Sequence, residues 1–213
     1  MIKSGSPTHL RLTVSDGDIV VDGSSVSSSN GCGSTDFRGS VSCPFAEASS
    51  IEITTGSGGD KVEVLDKLPI PLTIHLGAGS DKFIGNGERD TCYPEGAKRN
   101  RCYGGAGDDI CITGQRNSDC VGDGGDDYCR HGAGSDGCWG DCFGSAEDPC
   151  QGKPGDDICL MGPGQDGCHG GAGDDRLYEG TGTGKLYGER GHDFCDGGPG
   201  VGRSVGCEAG PGD

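Results

Sequence analysis

Gly104-Gly105-Ala106-Gly107-Asp108-Asp109-Ile110-Cys111-Ile112 recurs almost unchanged as Gly170-Gly171-Ala172-Gly173-Asp174-Asp175-Arg176-Leu177-Tyr178. Both stretches obey one nonapeptide pattern, G-G-x-G-x-D-x-U-x, in which U is a large apolar position. The glycine-rich half reads as a turn. The half that follows the Asp alternates in the manner of a short strand. A turn and a strand repeating every nine residues make a solenoid, in which each repeat buries its inner face only against its neighbours.

The bulk composition agrees with a repeat and with little else. Gly is the largest component at 46 of 213 residues, yet it follows no G-X-Y period, so collagen is excluded. Apolar residues are only 31%, which in an aperiodic chain would argue for disorder. The formal net charge of −17 leaves no basic patch for nucleic acid or for an anionic membrane surface. The carboxylates sit beside Gly rather than in helical Glu/Lys pairs, so multivalent cations are their natural counter-charge. No apolar run reaches the length of a transmembrane segment.

In these repeats the chain resembles the repeats-in-toxin (RTX, haemolysin-type) calcium-binding family. The resemblance implies an all-β fold, a right-handed parallel β-roll or β-helix solenoid. It also implies Ca2+ as the cofactor and folding coupled to calcium binding. In that family an ion sits between one loop and the loop a full turn later. Carried over, this assigns metal ligation to Asp109, Asp127, Asp157, Asp175 and Asp193, with Asp60 and Asp81. The accompanying loop backbone is that of Gly105, Gly107, Gly122, Gly124, Gly155, Gly171 and Gly173. Calcium takes six to eight hard oxygens, carbonyls included, and glycine lets a loop adopt positive φ and turn its carbonyls toward a shared centre.

Following the sixth motif position in steps of nine gives Asp81, Asp90, Asp109, Ser118, Asp127, Asp136, Asp157, Asp166, Asp175, Gly184, Asp193 and Gly202. Two steps are longer, Asp90 to Asp109 and Asp136 to Asp157, which places insertions near 93–103 and 141–152. Alternate loops fall on two edges. One edge is expected to collect Asp60, Asp81, Asp109, Asp127, Asp157, Asp175 and Asp193, all Asp. The other collects Asp90, Ser118, Asp136, Asp166, Gly184 and Gly202 and is degraded, with a remaining site formed by Gly134, Asp136, Gly164 and Asp166. Several ions are therefore expected, mainly along one edge. Residues 1–50 lack the motif and alternate as short strands, as in Leu10–Val14 and Ile19–Val21. They are expected to form an N-terminal β cap on a calcium-binding β-roll over 51–213.

The chain departs from the resemblance at the U position. Val62, Phe83, Leu177 and Leu186 are apolar as expected, but Cys92, Cys111, Cys120, Cys129, Cys138, Cys159, Cys168 and Cys195 hold it elsewhere. These eight are expected to point inward, as free buried thiols or as disulfides. Fourteen Cys without a C-x-x-C pair, and with few His, argue against zinc and for a disulfide framework in an oxidising, extracellular setting. The simplest pairing is between neighbours: Cys32–Cys43, Cys92–Cys102, Cys111–Cys120, Cys129–Cys138, Cys142–Cys150, Cys159–Cys168 and Cys195–Cys207. Bonds along one sheet, 18 residues apart, are the rival.

No catalytic site is expected. The repeated pairs Asp108-Asp109, Asp126-Asp127, Asp156-Asp157 and Asp174-Asp175 resemble acid/base dyads, but neighbouring strand residues face opposite sides. The five His do not cluster by spacing, and no G-x-S-x-G or H-E-x-x-H occurs. Outward loop positions lack the flat Thr or Asn row that ice binding requires. The first residues carry no signal-peptide core, so a removed leader or a fragment is expected, and the end resembles an interrupted repeat. The expectation is a secreted, extracellular or cell-surface module with calcium ions as partners, acting in structure, adhesion or self-assembly with itself or a cell-surface partner. The alternative is a carboxy-terminal appendage of a larger secreted hydrolase or toxin.

Overall fold

The computed structural model describes residues 2–3, 9–23, 27–28, 33–34, 40–44, 48–85, 87–95, 99–114, 117–141, 155–200 and 202–208. Strict alternation of inward and outward residues sets its strands. Ile110–Ile112, Ile158–Leu160 and Phe194–Asp196 each bury only their middle residue, the U position of the repeat. The chain passes from one sheet to the other at each glycine-rich turn. Among the described residues this builds a ten-stranded and a twelve-stranded sheet, face to face, in a parallel β-solenoid of about seven turns. Equivalent positions stack in register: Ile110, Cys111 and Ile112 lie beside Tyr128, Cys129 and Arg130.

The N-terminal region is an antiparallel cap, but its first strands already belong to the solenoid. Ile2–Lys3 pairs in parallel with Ile51–Thr54, and His9–Ser15 with Lys61–Val64. The antiparallel pairs are Ile2–Lys3 with Ser27–Ser28, His9–Ser15 with Asp18–Asp22, and Asp18–Asp22 with Val41–Pro44.

The expected insertion near 93–103 contains part of a strand among its described residues. Asn100–Ala106 is a strand of the twelve-stranded sheet, paired in parallel with Lys82–Ile84 and with Ser118–Gly124. The step from Asp90 to Asp109 is thus a full turn, with Asn100 standing where the motif has Asp. The two edges change accordingly. Asp90, Asp109, Asp127, Asp157, Asp175 and Asp193 precede consecutive strands of the ten-stranded sheet. Asp60 and Asp81 do not belong with them. They lie on the opposite edge, with Asn100, Ser118, Asp136 and Asp166. The second expected insertion, 141–152, falls outside the described residues apart from Asp141, which ends the strand Gly137–Asp141.

The interior changes character along the axis. Leu10, Leu12, Ile19, Val21, Ile53, Val62, Leu68, Leu72, Ile74, Leu76 and Phe83 fill the first turns. Cys92, Cys102, Cys111, Cys120, Cys129, Cys138, Cys159 and Cys168 fill the middle, and Leu177 and Leu186 resume beyond them. All eight expected cysteines are inward, and Cys102 joins them as a ninth. Two facing sheets ordinarily pack about 10 Å apart. Here the Cα atoms of Cys111 and Cys120 are 6.1 Å apart, and those of Cys159 and Cys168 are 6.5 Å apart. That separation suits a disulfide across the interior.

Four of the neighbour disulfides form: Cys92–Cys102, Cys111–Cys120, Cys159–Cys168 and Cys195–Cys207. The pairing along one sheet does not occur among the described cysteines. Cys129–Cys138 is corrected, because both are buried free thiols. Cys32, Cys142 and Cys150 lie outside the described residues, and with them the Cys32–Cys43 and Cys142–Cys150 pairs. Disulfides in this number fit an oxidising, extracellular environment. Among the described residues no helix is long and apolar enough to cross a membrane.

Candidate metal centres

Each Asp of the sixth motif position points inward and is almost fully buried, from 1% exposed at Asp175 to 6% at Asp109, Asp127 and Asp166. One carboxylate oxygen has a structural task. Oδ1 accepts the backbone N–H of the equivalent residue one turn earlier. On the intact edge Asp90 donates to Asp109 at 2.7 Å, Asp109 to Asp127 at 2.8 Å and Asp127 to Asp157 at 2.7 Å. Asp157 then donates to Asp175 at 2.8 Å and Asp175 to Asp193 at 3.0 Å. On the opposite edge Asp60 donates to Asp81, Asp81 to Asn100 Oδ1, Ser118 to Asp136 and Asp136 to Asp166. The Asp81–Asn100 bond, 2.8 Å, shows that a neutral amide carries this ladder as well as a carboxylate does.

The second oxygen has a different environment. Oδ2 of Asp81, Asp109, Asp166 and Asp193 accepts no hydrogen bond. On the intact edge Oδ2 lies against the first glycine of its own motif, in a notch that a side chain there would fill. A Cβ on Gly104, Gly122, Gly140 or Gly170 would overlap Oδ2 of Asp109, Asp127, Asp157 or Asp175. The carbonyl of the next turn's glycine reaches the same notch. A Cβ on Gly122 would also stand 2.7 Å from Gly140 O, and one on Gly188 would stand 2.5 Å from both Asp193 Oδ2 and Gly206 O. At Gly85, Gly122, Gly140 and Gly188 a carboxylate oxygen and a glycine carbonyl of the next turn therefore lie beside the same glycine. Gly105, Gly107 and Gly171 take positive φ (108°, 124° and 117°), as the loop requires.

The loops themselves stack closely. Gly107 donates its N–H to Gly124 O at 2.7 Å, and Gly173 to Arg190 O at 2.9 Å. A Cβ on Gly155 would strike Gly125 O, and one on Gly173 would strike Gly155 O. Outside the buried column runs an exposed one. Asp108 Oδ1 accepts from Asp126 N, Asp126 from Asp156 N, Asp156 from Asp174 N and Asp174 from His192 N, at 2.8–3.0 Å. On the opposite edge Gly134 and Gly164 form an isolated bridge beside Asp136 and Asp166.

Sequence spacing thus locates the inward carboxylates and their loops but misplaces Asp60 and Asp81. It also omits three features. Asp90 opens the intact column, and its place is hidden by the misread turn at Asn100. The outer Asp ladder repeats with the motif, a signal visible in the paired Asp residues. Glu179 is the third. Its buried carboxylate accepts the N–H of Gly184, and a Cβ on Gly202 would overlap it. It occupies the space that Asp would fill at those two positions. Two successive Gly at the Asp position are the clue that another residue must supply the oxygen.

Burial makes five of these carboxylates hard to ionise. It raises Asp109 to about 8 and Asp81 to about 6, against the downward pull of the backbone hydrogen bond each accepts. It also raises Asp136, Asp166 and Asp193. Charges on successive turns, about 4.8 Å apart, would repel by roughly 3–4 kcal/mol per neighbouring pair at an effective dielectric near 20. The column therefore needs protons or cations. The donors are all oxygen, numerous and partly backbone, which suits Ca2+ better than the small, water-retaining Mg2+.

Other titratable groups lie elsewhere. Trp139, His169 and Tyr187 face outward and stack along the twelve-stranded sheet, with ring centroids 6.1 and 4.4 Å apart. His131 is the fully buried histidine of the five, beside Cys129 and Asp136. Burial pushes the Cys129 thiol up, but the hydrogen bond with Cys138 and the charge of His131 outweigh it and hold it at about 6. Comparison with known protein families, curated proteins and solved structures finds no match for this chain.

Proposed function

We propose that the chain is an exported calcium-binding β-solenoid that loads Ca2+ along the Asp90–Asp193 edge and serves as a structural, adhesive or self-assembling module outside the cell. The observation that carries this reading is the notch at Gly85, Gly122, Gly140 and Gly188, where a buried carboxylate oxygen lies beside the same glycine as a carbonyl of the next turn. At Asp109 and Asp193 that oxygen accepts no hydrogen bond. A purely structural ladder would need only Oδ1. Calcium would draw on the second oxygen and on the loop carbonyls, and would neutralise the column. Its ligands would be Asp109, Asp127, Asp157, Asp175 and Asp193, with Asp90 at the head, and the resemblance to RTX repeats supports the same choice. No catalytic role is assigned to any residue.

Asn substitution separates the two roles, because an amide keeps the ladder bond and removes the charge. In calorimetric titration of the EDTA-treated chain with calcium chloride, Asp109→Asn and Asp127→Asn each weaken binding about 10- to 100-fold, the equivalent of losing roughly 1.5–3 kcal/mol of contact with a charged group. Both variants keep the parent's circular dichroism in the loaded form. Absence of calcium binding by the parent, or Asn variants that bind as the parent does, would show the column to be structural only.

A further inference from the structure

Cys129 and Cys138 occupy the same places in their turns as Cys111 and Cys120 one turn earlier, and as Cys159 and Cys168 one turn later. Both neighbouring pairs are bridged. Cys129 and Cys138 are the unbridged cysteines among the described residues, and both are buried. What distinguishes their turn is the inward residue two positions after the first Cys. It is Thr113 in the preceding turn and Met161 in the following one, aligned through the backbone bonds Thr113 N to Arg130 O and His131 N to Leu160 O. In this turn it is His131, whose side chain is 0% exposed.

The histidine is aimed at the thiols. His131 Nε2 lies 3.2 Å from Cys129 Sγ, and the ligand atoms of Cys129, His131 and Cys138 all fall within 4.8 Å of one another. A tetrahedral zinc with bonds of about 2.3 Å to sulfur and 2.0–2.1 Å to nitrogen requires ligand separations of roughly 3.5–3.8 Å. The far ring nitrogen, Nδ1, faces Asp136 Oδ2 at 3.8 Å. That separation is beyond a hydrogen bond, so the carboxylate supplies a neighbouring negative charge rather than a fixed tautomer.

We propose that Cys129, His131 and Cys138 form an interior site for one thiophilic cation, zinc or copper(I), distinct in chemistry from the oxygen-lined edge. Two thiolates and an imidazole suit either ion and do not suit calcium. Binding releases two protons in all, so that both sulfurs bind as thiolates and the imidazole binds neutral. The usual short Cys spacing of a zinc site is absent because the solenoid, not a local turn, brings residues nine positions apart into contact. The ion would take the place of the cross-link that neighbouring turns make with a disulfide.

The test is native mass spectrometry of the full chain, folded under oxidising conditions with calcium present and offered zinc chloride or the copper(I)–acetonitrile complex. One zinc or one copper adds per chain, and its mass identifies which. Peptide mapping after denaturation finds Cys129 and Cys138 as alkylatable thiols. His131→Thr, which copies Thr113 and keeps the turn, loses the added ion but keeps the four disulfides, the circular dichroism and the calcium content. A Cys129–Cys138 disulfide in the native chain overturns the proposal. So do free thiols that take up neither ion, and so does a His131→Thr chain that holds the ion as tightly as the parent.

Discussion

Reduction of the folded chain with dithiothreitol is expected to unfold its middle turns while sparing its first ones. Among the described residues between Phe83 and Leu177, the buried apolar ones are cysteines, with Met161 the exception. The four described bridges close loops of 9, 9, 10 and 12 residues. Each such loop contributes about 2.5–3 kcal/mol by restricting the unfolded chain, so together they supply on the order of 10 kcal/mol. That is comparable to the whole stability of an ordinary domain. The turns up to Phe83 contain no described bridge apart from that at Cys43 and are packed with Leu, Ile and Val. Hydrogen–deuterium exchange should show amides of Thr91–Tyr93, Ile110–Ile112 and Ile158–Leu160 losing protection on reduction, while Leu72–His75 keeps it. Equal protection of both regions before and after reduction would mean that packing, not cross-linking, holds the narrow half together.

The second large effect is a reversal of pH dependence by calcium. In the metal-free chain Asp109 titrates near 8 and Asp81 near 6, against ordinary values near 4, because burial opposes their charge. A carboxyl whose folded value lies above its unfolded one keeps its proton longer in the folded state. Its contribution is full below about pH 4 and is lost as pH rises through the folded value. The metal-free chain should therefore resist urea better at pH 4.5 than at pH 8.5. Calcium requires the ionised carboxylate, so protons compete with it. With calcium present the order inverts, and the urea midpoint is higher at pH 8.5. A midpoint in EDTA that rises with pH would contradict the burial argument. One that calcium leaves unchanged at pH 8.5 would contradict calcium's place in the fold.

The solenoid was legible because inward residues and loops share one period. Cys111 and Cys129, or Asp109 and Asp127, keep their spacing whatever fills the outer positions. The reading slipped where the period stretched by one residue and the marker changed together. From Asp90 to Asn100 is ten residues, and Asn100 lacks both the carboxylate and the glycine loop. The ladder bond it makes to Asp81 N needs only an amide oxygen, so the turn survives without its signature. Cys102, buried between Phe83 and Cys120, was the remaining trace of that turn. Moving one half-turn carries Asp60 and Asp81 to the far edge. The exception at Cys129 and Cys138 was harder to see, since their spacing equals that of two bridged pairs. It depends on the neighbouring side chain at position 131, whose inward direction follows from the strand's alternation but whose contact with Sγ needs three dimensions. Glu179 escaped for a related reason, because it serves the Asp136–Asp166 edge from five residues before Gly184 rather than from the sixth motif position.

Calcium anomalous difference density from a crystal of the calcium-loaded chain tests the central claim most directly. The predicted result is a line of peaks, one turn apart, beside Asp109, Asp127, Asp157, Asp175 and Asp193. An edge without peaks, or ions shared evenly with the Asp60–Asp166 edge, would contradict it.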